Sequence, residues 1–240
     1  MEDTFRMTEK ALKMRQKREK KLELQKQLRE KNEPPKLSLA EEVGNAVTHG
    51  IGALLALTGM ILLLLRSDTG LEIFASYIYG ISLFFMMLMS CLYHAFKSGS
   101  AVKRLWRRFD YASIYLLIGG TFAPLYLVYW GNKLGITLFC IQWAIIAFGI
   151  LMIAVFGPAK WKALHFTLYF TIGWSGLIFL PDFCQNNLPL FWTILIGGAV
   201  YTLGMIPFAR HKKNSHFIWH LFVLIGAVLH WFGIYGFVYH

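Results

Sequence analysis

An all-α, polytopic membrane protein, folded as a seven-transmembrane helix bundle, is the fold class that the 240-residue sequence predicts, on three observations. Hydrophobic residues make up 56% of the chain and charged ones 15%, whereas about a quarter of a soluble domain is charged. Seven stretches almost free of Asp, Glu, Lys and Arg follow one another, each near or above the ~18 residues needed to cross the hydrocarbon core. Lipid offers no water to satisfy a backbone, so open strand edges cannot exist there, and these runs are too long for barrel strands.

Taken in order, the chain begins with a basic N-terminal region over 1–40, followed by the membrane domain over 41–240. Residues 4–32 are rich in helix-forming Lys, Glu, Gln and Leu, and the run stops at Pro34-Pro35, which predicts a charged helix. A solvated helix or tail is the plain reading. A basic helix lying on anionic headgroups is the alternative, weakened by Glu9, Glu19, Glu23, Glu30 and Glu33. The predicted spans cover 44–65, 72–96, 109–130, 134–156, 163–181, 188–208 and 217–238. Tyr77, Tyr79, Tyr93, Trp106, Trp130, Trp161, Trp192, Tyr235 and Tyr239 mark many of their ends, as membrane interfaces favour. The stretch GGTFAP, from Gly119 to Pro124, is expected to kink the third span.

Charge sets the orientation. Of the 24 Lys and Arg, 12 lie in residues 1–40. Ten more fall in the loops after the second, fourth and sixth spans: Lys97, Lys103, Arg104, Arg107, Arg108, Lys160, Lys162, Arg210, Lys212 and Lys213. The opposite loops hold only Arg66 and Lys133, so the N-terminus is expected in the cytoplasm and the C-terminus outside the cell membrane. The net charge of +11 does not point to nucleic acid, because no basic and aromatic residues interleave as a base-stacking surface requires. Cys91, Cys140 and Cys184 are odd in number and widely spaced, and propose no disulfide framework. The first 40 residues contain no apolar core segment, so the first span is expected to act as its own targeting signal.

In that topology Ser90, His94, Asp110, His216 and His220 all fall near the cytoplasmic face, where an intramembrane polar group is costly enough to imply a task. Four residues advance a helix by about 400°, so Ser90 and His94 share a face, as do His216 and His220. A histidine pair at i, i+4 clamps a transition metal, and His94 from a second helix completes three imidazoles, leaving one tetrahedral position for water. Asp110, the one acidic residue well inside the helical body, is placed to take a proton from that water, and Ser90 to hydrogen-bond it or a developing oxyanion. Cys91, at i, i+3 from His94, is a rival ligand. Glu42, Asn45 and His49 form a stripe at i, i+3, i+7 that enters the first span from the same side, either packing helices or orienting a metal-bound imidazole from behind. His165 and His230 read as interhelical hydrogen bonders, His211 and His240 as solvated, and Asp68, Glu72 and Asp182 as outer-loop acids.

These motifs, EVGNAVTH from Glu42 to His49, SCLYH from Ser90 to His94, DYASI from Asp110 and HFIWH from His216 to His220, resemble those of the hemolysin III family and the related progestin and adipoQ receptors. Their superfamily also includes the alkaline ceramidases. The resemblance covers about residues 40 to 238. It implies a seven-helix membrane protein with Zn2+ bound by His94, His216 and His220 and with Asp110 and Ser90 beside the ion. Hydrolysis of ceramide is associated with the related adiponectin receptors and ceramidases, and the bacterial-type members are named for cytolysis. The long basic tail departs from the family's usual short N-terminus.

Three functions remain open on the sequence. The first is a zinc-dependent hydrolase of a lipid amide or ester. The second is a membrane-permeabilising cytolysin, which would need a polar stripe to line a channel; no such repeat is present. The third is a receptor or scaffold stapled by zinc without turnover. A membrane lipid is the expected substrate or ligand.

Overall fold

The computed structural model describes residues 2–210 and 212–239, so His211 and His240 lie outside the described residues. The chain forms two compact units, one ending at Glu33 and one beginning at Pro34. The first is helix α1, Glu2–Lys31, closed by the Asn32 amide donating to the Leu28 carbonyl at 2.8 Å. Leu12, Leu22 and Leu24 stay exposed along it, and its described side chains form no buried apolar stripe. Its Arg15–Glu19 pair, 3.1 Å apart and well exposed, contributes little stability.

In the second unit seven helical segments are long and apolar enough to cross a membrane, and no strand forms among the described residues. The first is α2, Leu39–Leu65, which starts five residues before the expected 44. Its start is set by chemistry rather than hydropathy: the Ser38 hydroxyl accepts from the Glu41 N–H at 3.3 Å, and the Glu41 carboxylate accepts from the Ser38 N–H at 3.2 Å. The second, α3, Gly70–Ala95, opens on the same device made by Thr69 and Glu72, so Glu72 lies in a helix's first turn and not in a loop.

The third span, α4, begins at Ala101 behind the Ser100 cap, eight residues earlier than the expected 109. Lys103, Arg104, Arg107 and Arg108 therefore ride on a helix instead of a loop; charge marks where the apolar window ends, not where hydrogen bonding does. Over Gly119–Pro124, where a kink is expected, no change of helix type occurs. The helix stays α-helical through Pro124 and then widens into a π turn over Leu125–Tyr129, with the Trp130 N–H donating to the Leu125 carbonyl at 3.1 Å. Pro124 brings no N–H to the ladder, and the irregularity is taken up in the turn after it.

Helix α5, Lys133–Phe156, follows. The fifth span, expected as one helix, is three: α6, Lys162–Gly173; a 3-10 segment, Trp174–Phe179; and α7, Leu180–Asn186. Gly173 and Gly176 weaken the ladder and Pro181, near the start of α7, fits a fresh helix start. Asp182 is thus on a helix, where its carboxylate accepts from Trp130 Nε1–H at 3.4 Å. Helices α8, Leu188–Arg210, and α9, Ser215–Phe237, close the bundle.

Of the aromatic residues expected at interfaces, Tyr77, Trp161 and Trp192 are exposed, but Tyr79, Tyr93 and Tyr239 are buried in the bundle. His165 and His230 do bond between helices: the Tyr115 hydroxyl lies 2.9 Å from His165 Nδ1, and His230 Nε2–H donates to the Ile194 carbonyl at 3.1 Å. All three cysteines are free.

One close approach fixes the turn between the third and fourth spans. A Cβ added at Gly135, in the first turn of α5, would run into the Tyr126 carbonyl oxygen, which is backbone and cannot swing aside. Gly135→Ala is therefore expected to destabilise the protein by about 1–3 kcal/mol, read as a lower Tm in detergent. Gly70→Ala, whose Cβ meets open space, should leave Tm unchanged or slightly raised.

Candidate metal centre

Helix α3 delivers His94 one turn after Ser90, at its C-terminal end. Helix α9 delivers His216 and His220 from its first two turns. The three imidazoles converge: His216 Nε2 lies 3.3 Å from His94 Nε2 and 3.2 Å from His220 Nε2, and one nitrogen from each ring falls within 4.8 Å of the others. Two nitrogens bound to one zinc at ~2.0–2.1 Å in a tetrahedron lie ~3.3–3.4 Å apart, so two edges of the triangle already have the spacing an ion requires. Among the described residues this is the group of His, Cys, Asp or Glu side chains able to hold a metal. Cys91, the rival ligand, is not in it; its sulfur packs toward Gly50 on α2.

The ring of His94 is fixed from behind. Its Nδ1–H donates to Glu42 Oε2 at 2.7 Å, with the His94 side chain fully enclosed and that of Glu42 10% exposed. That bond selects the tautomer whose Nε2 carries a lone pair, the form a metal ligand needs. The Asn45 amide packs 3.4 Å from the same Nδ1. His49, 2% exposed, stacks on the His220 ring with centroids 3.9 Å apart and planes 26° apart, and so braces the second helix's ligand. The stripe Glu42, Asn45 and His49 thus faces the centre along its whole length.

Lys103 joins this assembly unannounced by spacing. Its ammonium, fully buried, lies 2.9 Å from Glu42 Oε1 and donates to the carbonyls of Tyr93 at 3.0 Å and Phe96 at 3.1 Å. It neutralises Glu42 and satisfies carbonyls at the end of α3, where a cation also meets the helix dipole favourably. One sequence signal could have found it. A lysine in the first turn of a helix opposes that helix's own dipole, and its presence there implies another partner.

Asp110 and Ser90 come to the same place by way of a cavity. A space of about 160 Å³ inside the bundle is lined by Ser90, Asp110, His49, His216 and His220. Ser90 is buried, whereas Asp110 keeps part of its surface open to this space. On α9 the lining runs from His216 to His230, which at 1.5 Å per residue is ~21 Å of helix, and beyond the polar end it is mostly aromatic and aliphatic. A smaller space of about 40 Å³ shares Thr121, Phe122, Trp174 and His230 with it and continues toward Phe183 and Phe191. The arrangement is a polar, metal-competent head on a long apolar shaft.

Known proteins share this architecture's sequence. The protein described as Hemolysin-3 of Bacillus cereus is 34% identical over 197 residues, covering 80% of this chain and 89% of that protein. The Hemolysin-3 homolog of Bacillus subtilis (strain 168) is 30% identical over 200 residues, covering 81% and 93%. The human monocyte to macrophage differentiation factor is 28% identical over 209 residues, covering 83% and 85%. The matched region of the family described as Haemolysin-III related, residues 37–231, starts beyond α1 and contains every side chain of the centre, and this multi-pass membrane chain belongs to that family.

Proposed function

We propose that the protein is a zinc-dependent hydrolase of a membrane lipid amide or ester of the ceramide kind, acting in the cell membrane with its centre near the cytoplasmic face. The observation that carries this reading is that Asp110 and Ser90 line the same cavity as His216 and His220, at the end of an apolar shaft. A donor set of three imidazoles suits zinc; His94, His216 and His220 would hold the ion, which would supply a Lewis acid. The chain's own residues do the rest. The shaft takes an acyl chain and leaves the carbonyl at the polar head. Asp110 accepts a proton from an attacking water and returns it to the departing nitrogen or oxygen as the carbonyl's C–N or C–O bond breaks. Ser90, which lines the same cavity, is placed to hydrogen-bond that water or the developing oxyanion. The placement of the centre near the cytoplasmic face is supported by the charge pattern: 22 of 24 Lys and Arg lie in residues 1–40 or at the helix ends and loops expected on that side.

Elemental analysis of detergent-purified protein is expected to give one zinc per chain, lost in His216→Ala. Incubation with ceramides and with ester lipids, followed by mass spectrometry, should then show free fatty acid. Zinc-loaded protein that releases fatty acid from neither class would overturn the hydrolase and leave the zinc-stapled receptor. Dye escaping from vesicles that hold the protein, unchanged in His220→Ala, would favour the membrane-permeabilising reading.

A further inference from the structure

Glu41 and Glu42 stand side by side in the first turn of α2, 7% and 8% exposed, although buried carboxylates at a membrane helix end are costly. They face different helices. Glu42 holds His94 on α3. Glu41 uses one oxygen locally, with Oε2 accepting from the Ser38 hydroxyl at 2.8 Å, and extends the other: Oε1 accepts the backbone N–H of Asn214 at 2.6 Å. Asn214 is where α9 begins. Its backbone is left-handed, φ 62°, and its own side chain makes no capping bond to the helix. The turn is thus held from a neighbouring helix, by a negative charge that also suits the positive end of α9. His216 follows two residues later, and His220 one turn after that.

We propose that Glu41 is a positioning residue of the metal centre, which acts through Asn214 to fix where α9 enters the bundle and hence where His216 and His220 meet His94. The proposal rests on the metal-centre reading above. Consecutive carboxylates reference both ligand-bearing helices to one rigid point, the capped first turn of α2. A site of this kind must be held within about 0.5 Å of its working geometry. The Glu41 bond restrains the left-handed residue, a conformation that costs free energy in a residue with a side chain. Any shift at Asn214 then moves both imidazoles of α9 together, while His94 stays with Glu42.

The test uses the full-length protein in detergent, titrated with Zn2+ and, separately, with Co2+, whose visible spectrum reports coordination geometry. Glu41→Ala is expected to bind either ion about 10-fold more weakly than the wild type and to change the Co2+ bands. Glu41→Gln retains an oxygen for the Asn214 N–H and should recover most of the affinity and the wild-type spectrum. Ser38→Ala removes the helix cap but not the Asn214 bond; it should lower Tm and leave metal affinity within about 3-fold. If Glu41→Ala does not yield folded protein, Glu41→Asp, one methylene too short to reach Asn214, replaces it with the same expectations. Wild-type affinity and spectrum in Glu41→Ala would overturn the proposal alone. So would equal weakening in Ser38→Ala, which would assign the effect to the stability of α2. A wild type that binds no metal would overturn the metal reading together with this inference.

Discussion

Asp110→Asn should lower the rate of lipid hydrolysis by roughly 10²–10⁴-fold while leaving metal content unchanged. The separation follows from the geometry. Asp110 lines the cavity with Ser90 and the two histidines of α9, but the metal-competent group consists of His94, His216 and His220. Asparagine keeps the shape, so packing and coordination survive, but it cannot accept a proton at neutral pH. Ser90→Ala should fall between the wild type and Asp110→Asn, because Asp110 remains to take the proton and only a hydroxyl facing the cavity is lost. Zinc quantification and fatty-acid release on the same preparations check both. Parallel loss of zinc and turnover in Asp110→Asn would instead make Asp110 a structural part of the metal site, and undiminished turnover would remove it from the chemistry.

What spacing makes visible in this chain is periodicity over one or two turns. The i, i+4 pairs Ser90/His94 and His216/His220 and the stripe Glu42, Asn45, His49 are of that kind, and the structure brings all of them to one place together with Asp110. The seven spans are equally visible, since each is a continuous apolar run. Less visible is anything that depends on a distant partner. Lys103 looks like one more loop cation until the fold supplies Glu42 and two backbone carbonyls, which no sequence pattern encodes. The Ser38–Glu41 capping box is plain in the sequence, but the second use of Glu41, 173 residues away at Asn214, is not. Tyr79 and Tyr93 illustrate the converse. Amphipathic rings near span ends suit both a headgroup belt and a protein interior, and only packing decides between them. The broken fifth span was signalled by Gly173, Gly176 and Pro181, yet its overall hydropathy is that of an unbroken helix.

Lys103→Met should be the most destabilising single change at the centre, costing about 3–5 kcal/mol, because it strips one partner from a buried ion pair. The loss is not confined to Coulomb energy. Glu42 Oε1 would keep only the long Ser98 hydroxyl contact at 3.4 Å, and the Tyr93 and Phe96 carbonyls would lose their donor at the end of the helix that carries His94. Lys103→Arg is not expected to restore the wild type, since a planar guanidinium cannot reproduce a point charge shared among three converging oxygens. The informative variant is the double change Lys103→Met with Glu42→Gln. Removing both charges eliminates the uncompensated carboxylate, so the pair should be more stable than Lys103→Met alone, by the coupling a double-mutant cycle measures. Metal affinity should not return with stability, because an amide is a weaker acceptor for His94 Nδ1–H than a carboxylate is. Unfolding midpoints and zinc titrations of the two singles and the double resolve the two effects. A double variant no more stable than Lys103→Met would mean that the carbonyl contacts, not the ion pair, are what Lys103 contributes. A double variant that also binds zinc like the wild type would mean that the charge on Glu42 plays no part in holding His94.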